Sequence, residues 1–479
     1  TINANDENKQ IKALISYTDL DGFDEQVTTE TLEINKMSSW SQIISDIQGE
    51  NIGDNFGYSV SLSSDGSIVA ISGPKNNGSN GDNSGHVRIY QSNNGSWKKI
   101  GDIDGESSSD WSGRSVSLSS NGSVVAIGAP ENDNAGNQSG HVRIYQNNNG
   151  FWQQIGSDID GNDTNDYSGG SVSLSSDGSI VAINSTPDAW PDDSLVRVYQ
   201  NNNDSWQQIG SDIRTGEAHN LGTSSVILSS DGSIVAIASS AANGNSGIVE
   251  IHQNNNGSWQ QIGSDINGES QTNLGAAVDL SADGSVIAIG APLDDGGTWH
   301  ATENNANGSV QIHRNYNGTW QQIGSDIVGK SSQDYFGSSI SISDDGSIVA
   351  IAASQGGDDD DGYIQVYQNK NDSWRQIGSD IEALNGELGS ISLSSDGSII
   401  SIGQKSGGDN NGGLVKTYHL IESAINDGSA HFLIQGSPEV GNILSINEAM
   451  SDPDGTGALS YSWQLSSNGS NWVEISQDN

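Results

Sequence analysis

The chain has no cysteine, which excludes disulfide staples, thiolate metal centres and a cysteine nucleophile. Proline is scarce, with 7 residues in 479, and so are methionine, with 2, and phenylalanine, with 5. Positive charge is also in short supply: 17 Lys and Arg stand against 61 Asp and Glu, a formal net charge of −44. A surface of that sign repels phosphate backbones and anionic headgroups, so neither nucleic acid nor membrane insertion is expected. Long apolar runs are missing; none approaches the roughly 18 residues of a membrane span. The segment from Thr1 has no basic stretch leading into an apolar one, so an exported protein would have lost its signal or carry it elsewhere.

Glycine is what the chain has in quantity, 61 residues, while only 32% of the sequence is hydrophobic. This balance suits short strands joined by tight turns better than long amphipathic helices. Complete disorder is the competing reading, and regularly spaced apolar tetrapeptides argue against it. The acidic, soluble surface points to an extracellular or cell-surface setting and to an affinity for divalent cations.

Four signals recur in a fixed order. A Ser-Val-Ser-Leu-Ser strand, Ser59 to Ser63, ends in the turn Ser64-Asp65-Gly66-Ser67. An apolar run follows, Ile68-Val69-Ala70-Ile71, then a third strand from Gly85 to Gln91, and after an Asn-Asn-Gly turn a fourth, Ser96 to Ile103. The turn appears seven times, at Asp65, Asn121, Asp177, Asp231, Asp283, Asp345 and Asp396. So does the fourth-strand tryptophan, at Trp40, Trp97, Trp152, Trp206, Trp259, Trp320 and Trp374. Repeats of about 40 to 50 residues with four short strands each are the pattern of propeller blades. An Ile-Val-Ala-Ile run without polar alternation fits a strand covered on both faces, and the tryptophan reads as packing between blades.

The repeats are also out of phase with the chain. A fourth-type strand, Ser39 to Ile47, precedes any first-type strand, and a third-type strand, Leu414 to Leu420, has no tryptophan strand after it. Pairing the two completes a seventh blade and closes the ring. The expected fold is therefore all-β: a seven-bladed β-propeller of four-stranded blades over residues 39–420, with an N-terminal extended segment, 1–38, and a partial β-sandwich segment, 421–479.

The first half of each repeat resembles the FG-GAP repeats of the integrin α-subunit propeller and of bacterial cell-surface proteins. The residues concerned are Phe56-Gly57-Tyr58-Ser59-Val60, Gly73-Pro74, Gly128-Ala129-Pro130, Gly290-Ala291-Pro292 and Phe336-Gly337; Trp111, Tyr167 and Leu274 stand near the Phe place in degenerate copies. The resemblance implies calcium in a D-x-D-x-D-G type loop between the first two strands, but here that loop is Ser-Ser-Asp-Gly-Ser and the cage is not carried over. Asp452 to Gly457 and Leu459 to Gln464 resemble the Ig-like or cadherin-like modules of bacterial adhesins. At Asn479 the chain falls well short of the roughly 100 residues of such a sandwich, so a longer parent protein or a partner that completes the fold is expected.

One face of such a propeller carries uniform Asp-Gly and Asn-Gly turns, the other carries variable loops. Oxygen-rich loops suit Ca²⁺, and the candidates are Asp102, Asp104 and Asp110, Asp158, Asp160 and Asp166, with Asp54 and Asp334. Capping of turns and strand ends by Asp is the alternative. The variable face also holds a candidate binding surface of Trp190, Asp192, Asp294, Asp295, Trp299 and His300, whereas the acidic run Asp358 to Asp361 reads as a solvated loop. His86, His141, His252 and His313 fall inside third-type strands as packing or edge residues, and no nucleophile elbow, zinc-protease motif or phosphate loop occurs. The expectation is a non-enzymatic adhesion or structural protein of the cell exterior, a rigid interaction disk whose partners are surface proteins or glycans. Self-assembly through its terminal β segments is a further expectation, and a lectin-like propeller is the alternative.

Overall fold

The architecture was read from a computed structural model that describes residues 38–422, apart from 94, 187–193, 215–223, 295–305, 356–361, 384–385 and 409, and the backbone of strands in the two flanking segments. The chain divides into two units, Trp40–Leu420 and a second that gathers Thr1–Ser39 with Ile421–Asn479. In the second unit the described strands form hairpins: Leu14–Thr18 with Asp24–Thr28, His431–Gln435 with Ser445–Met450, and Tyr461–Leu465 with Val473–Asp478; Gln10–Ile11 also pairs Leu32–Glu33.

The first unit is a seven-bladed β-propeller. Its blades, one to seven, begin with inner strands Val60–Leu62, Ser115–Leu118, Val172–Leu174, Ser224–Leu228, Ala277–Leu280, Phe336–Ile342 and Leu388–Leu393. In blade one the order from the centre outward is Val60–Leu62, Ile68–Gly73, His86–Asn93 and Ser96–Asp104, all antiparallel. Blade seven takes three strands from the end of the repeat region and its fourth, Ser38–Gln42, from the beginning. Continuing that strand, Ile47 and Gln48 pair with Val415 and Leu414, so the closure expected from the phase of the repeats is realised.

Each apolar run is consumed by its neighbours. Val69, Ala70 and Ile71 are fully buried, and the same holds in every second strand. The clusters lie between blades, not within them: Ala70, Val87 and Ile89 of blade one pack on Val116, Leu118, Val125 and Ile127 of blade two. At the closing seam Ile47 and Val415 pack on Phe56, Val60 and Ile71. At about 1.5–3 kcal/mol per fully buried aliphatic side chain, a blade without both neighbours forfeits most of its core.

Small residues let the blades approach. Gly122 in the inner turn of blade two has φ 66°, and a Cβ there would fall 2.7 Å from Ile68 Cδ1 of blade one, which explains why Gly follows the turn Asp or Asn throughout. Around the rim the half-buried tryptophans do more than pack. Trp152 Nε1 donates to the Ile100 carbonyl of the preceding blade at 3.0 Å, and Trp206, Trp259, Trp320, Trp374 and Trp40 donate in the same way to Ile155, Ile209, Ile262, Ile323 and Ile377. Replacing Trp206 with Phe keeps most of the packing but leaves the Ile155 carbonyl without its donor. Urea unfolding of Trp206→Phe is expected to give a loss of about 1 kcal/mol, with the m-value unchanged.

Candidate functional sites in the channel and on the loop face

The inner strands line a central cavity of about 390 Å³ in whose wall serine is the commonest residue. The Ser-x-Ser alternation places hydroxyls where they accept backbone amides of the next blade. Val116 and Leu118 donate to Ser59 and Ser61 Oγ at 3.2 and 3.0 Å, Val226 and Leu228 to Ser171 and Ser173, and Val60 and Leu62 of blade one to Ser390 and Ser392 of blade seven. One step toward the turn, backbone amides complete a circle. Ser64 donates to Ser120, then Ser120 to Ser176, Ser176 to Ser230, Ser230 to Ala282, Ala282 to Asp344, Asp344 to Ser395 and Ser395 back to Ser64, all at 2.8–2.9 Å. These serines thus act as structural acceptors between blades.

Two neighbouring blades break the pattern together. Ile227 stands in blade four where a serine is needed to accept the Leu280 amide, and Asp279 stands in blade five at the next equivalent place. Asp279 Oδ1 accepts Leu280 N at 2.9 Å, and its Oδ2 accepts Ile342 N of blade six at 2.8 Å. One carboxylate therefore supplies the acceptor that Ile227 withdrew and the one its own blade owes. Desolvation in the wall pushes the Asp279 pKa up to about 6, against the pull of the two amides.

The inner-turn aspartates are satisfied locally. Asp65 Oδ1 accepts the Ser67 amide at 2.9 Å and the Ser63 hydroxyl at 2.7 Å. Partial burial works to raise its pKa, but the Ser67 amide and the two serine hydroxyls outweigh this and hold it below the usual range. This is turn capping.

On the opposite face the second-to-third-strand loops of blades one and two run beside the linkers that follow: Ser109, Trp111 and Ser112 amides bond Asp82, Asn83 and Ser84 carbonyls, and Asn165, Tyr167 and Ser168 amides bond Asn137, Gln138 and Ser139 carbonyls. Four of the calcium candidates, Asp54, Asp110, Asp166 and Asp334, are buried in the separate linkers into blades one, two, three and six. Asp54 Oδ2 accepts Asn51 N at 2.9 Å and Asn76 Nδ2 at 2.8 Å; Asp110 accepts Ser107 N; Asp166 accepts Asn162 N; and Asp334 accepts Ser331 N and the Tyr363 hydroxyl. Each pins its linker to itself or to its own blade. Asp102 and Asp104 share Arg88, whose guanidinium also faces Glu50. Asp158 receives Gln154 Nε2 and faces His141, while Asp160 is exposed with a pKa raised by partial burial and by Asp158. The eight candidates thus fall into separate local arrangements rather than one site.

Of the candidate binding surface, Asp294 is described. It accepts the Ser309 hydroxyl at 2.6 Å and anchors a loop to the third strand of blade five. Trp190, Asp192, Asp295, Trp299 and His300, and the run Asp358 to Asp361, lie outside the described residues. A second concavity of about 280 Å³ opens at the rim between blades five and six, lined by Trp374, Tyr367, Asp326, Asp372 and Ser325. Sequence reading passed over both this groove and the Ile227–Asp279 exchange. The exchange is visible as two adjacent departures from Ser-Val-Ser-Leu, Ser-Val-Ile-Leu followed by Ala-Val-Asp-Leu.

No protein-family model matches the chain, and no curated protein matches it either.

Two predictions follow from these geometries. Asp279→Asn loses one acceptor and turns a donor toward an amide, at a cost of about 1–3 kcal/mol in chemical unfolding; Ile227→Ser with Asp279→Ser restores the regular pattern and recovers most of that loss. His86 is buried with its pKa lowered to about 3 by burial and by Arg88, and His141 follows to about 4. Their folded pKa lies below the unfolded value of about 6.5, so the unfolded chain takes up the protons and stability falls as pH drops from about 6.5 toward 3–4. His86→Leu is expected to flatten the fall in urea midpoint between pH 7 and pH 5; an unchanged slope refutes the assignment.

Proposed function

We propose that this protein is a non-catalytic structural or adhesion component of the cell exterior, with the propeller acting as a rigid disk that presents variable loops on one face. The observation that carries this reading is where the recurring polar residues are spent. Channel serines accept neighbouring amides, turn aspartates cap their turns, linker aspartates hold their linkers, and tryptophan N–H groups join blades. Such a ring is built for rigidity, and the freedom to vary is left to loops. The strong negative charge favours solubility and cation-rich surroundings over nucleic acid or anionic lipid. The FG-GAP-like copies and the adhesin-like C-terminal stretch support the same assignment, and the hairpins of the second unit offer edges for strand addition from another copy.

A second reading, a glycan-binding propeller, is favoured by the rim groove. Trp374 and Tyr367 offer aromatic surface and Asp326 and Asp372 offer acceptors, the combination that sugar C–H faces and hydroxyls use.

Inert microspheres coated with the full chain test the leading reading. They are expected to be retained under flow on the producing cells' surface material, and excess soluble protein should compete them off. Absence of retention, or turnover of glycoside, ester or peptide substrates above background, overturns it. On a glycan array, signal lost in Asp372→Asn favours the rim-groove reading over a protein partner.

A further inference from the structure

Glu106, His141 and Asp158 converge where the linker into blade two passes the third strand, His141–Asn148, of that blade. A ligand atom from each lies within 4.8 Å of those from the other two. His141 is fully buried, and neither ring nitrogen has a hydrogen-bond partner. Its Nδ1 points at Asp158 Oδ2 from 3.5 Å, beyond a good hydrogen bond. A buried polar nitrogen left in this state carries an uncompensated desolvation cost, so a group that engages it relieves that cost.

Blade one provides an internal comparison. His86 occupies the same strand position, equally buried and equally without partners. There, however, Arg88 draws the corresponding carboxylates, Glu50 and Asp102, to itself. In blade two Arg143 takes Glu106 at 3.2 Å and the Asp104 carbonyl at 2.9 Å, and it leaves Asp158 facing the imidazole. A histidine packed merely as filler explains blade one; in blade two the same histidine is joined by two carboxylates.

We propose that Glu106, His141 and Asp158 form a binding site for a divalent cation of the zinc class. One imidazole nitrogen with two carboxylate oxygens is a donor set for zinc and its neighbours, with a fourth position left for water. Calcium, which takes six to eight oxygens, is disfavoured by the imidazole. Bonds of about 2.0–2.2 Å place ligand atoms roughly 3.4 Å apart, so the most distant pair, within 4.8 Å, must close by up to about 1.4 Å. Glu106, with its side chain 37% exposed, supplies this by a rotamer change. Arg143 keeps the Asp104 carbonyl and the Tyr145 ring as partners when Glu106 turns to the ion.

Equilibrium dialysis of the full chain against Zn²⁺ at neutral pH, in a large excess of Ca²⁺ to occupy the general acidic surface, tests the site. One zinc per chain that calcium does not displace is expected. Glu106→Gln and Asp158→Asn should each weaken its retention at least tenfold, and His141→Gln should abolish it, while His86→Gln leaves it intact. Where His141→Gln fails to fold, the exposed Glu106→Gln decides. Zinc displaced by calcium, or retained unchanged by Glu106→Gln, overturns the proposal.

Discussion

Everything in the propeller depends on closing the ring. The apolar clusters lie between blades, so each blade is half of two cores and complete in neither. An open array would leave one inner face of the first blade and one of the last in water. The N-terminal strand prevents this by supplying the outer edge of blade seven, and it joins two parts of the chain more than 360 residues apart with ordinary antiparallel pairing. The cost in chain entropy is large but is met once, because loop closure grows only slowly with length.

Within that ring the polar residues act as mortar. Serine hydroxyls bridge adjacent inner strands, whose backbones do not themselves pair across blades, and so satisfy amides that would face the cavity unpartnered. The rim repeats the solution with tryptophan and the loop face with aspartate. The Asp279 carboxylate shows how strict this accounting is: a lost hydroxyl in one blade is matched by a two-oxygen acceptor in the next. Such matching also explains why a chain so rich in Asp, Ser and Asn yields few free constellations of reactive groups among the described residues.

Much of this was legible before any coordinates. Seven turn aspartates or asparagines, seven tryptophans and the displaced phase of the repeats give blade count, strand order and the closing pair, because each is a local signal repeated along the chain. The roles of individual polar residues were not legible, because their partners sit a whole blade away. The Ser59 hydroxyl meets an amide 57 residues later, and Trp206 meets a carbonyl 51 residues earlier. Read alone, Ser-Val-Ser-Leu is a half-exposed strand, and only the neighbouring blade reveals what the exposed half touches. Asp54 and its equivalents, read as calcium ligands or caps, are seen to cap their linkers. His141 was legible as a packed strand residue, but the nearness of Asp158 depends on where Arg143 turns.

The Ile227–Asp279 exchange has an evolutionary corollary. Repeat arrays diversify when unequal recombination duplicates or drops a unit, and most of these blades present their neighbours with the same serine register. Blades four and five are the exception, since the first lacks an acceptor that only the second replaces. A crossover falling between them would therefore join an unmatched isoleucine to a partner with no spare oxygen to offer.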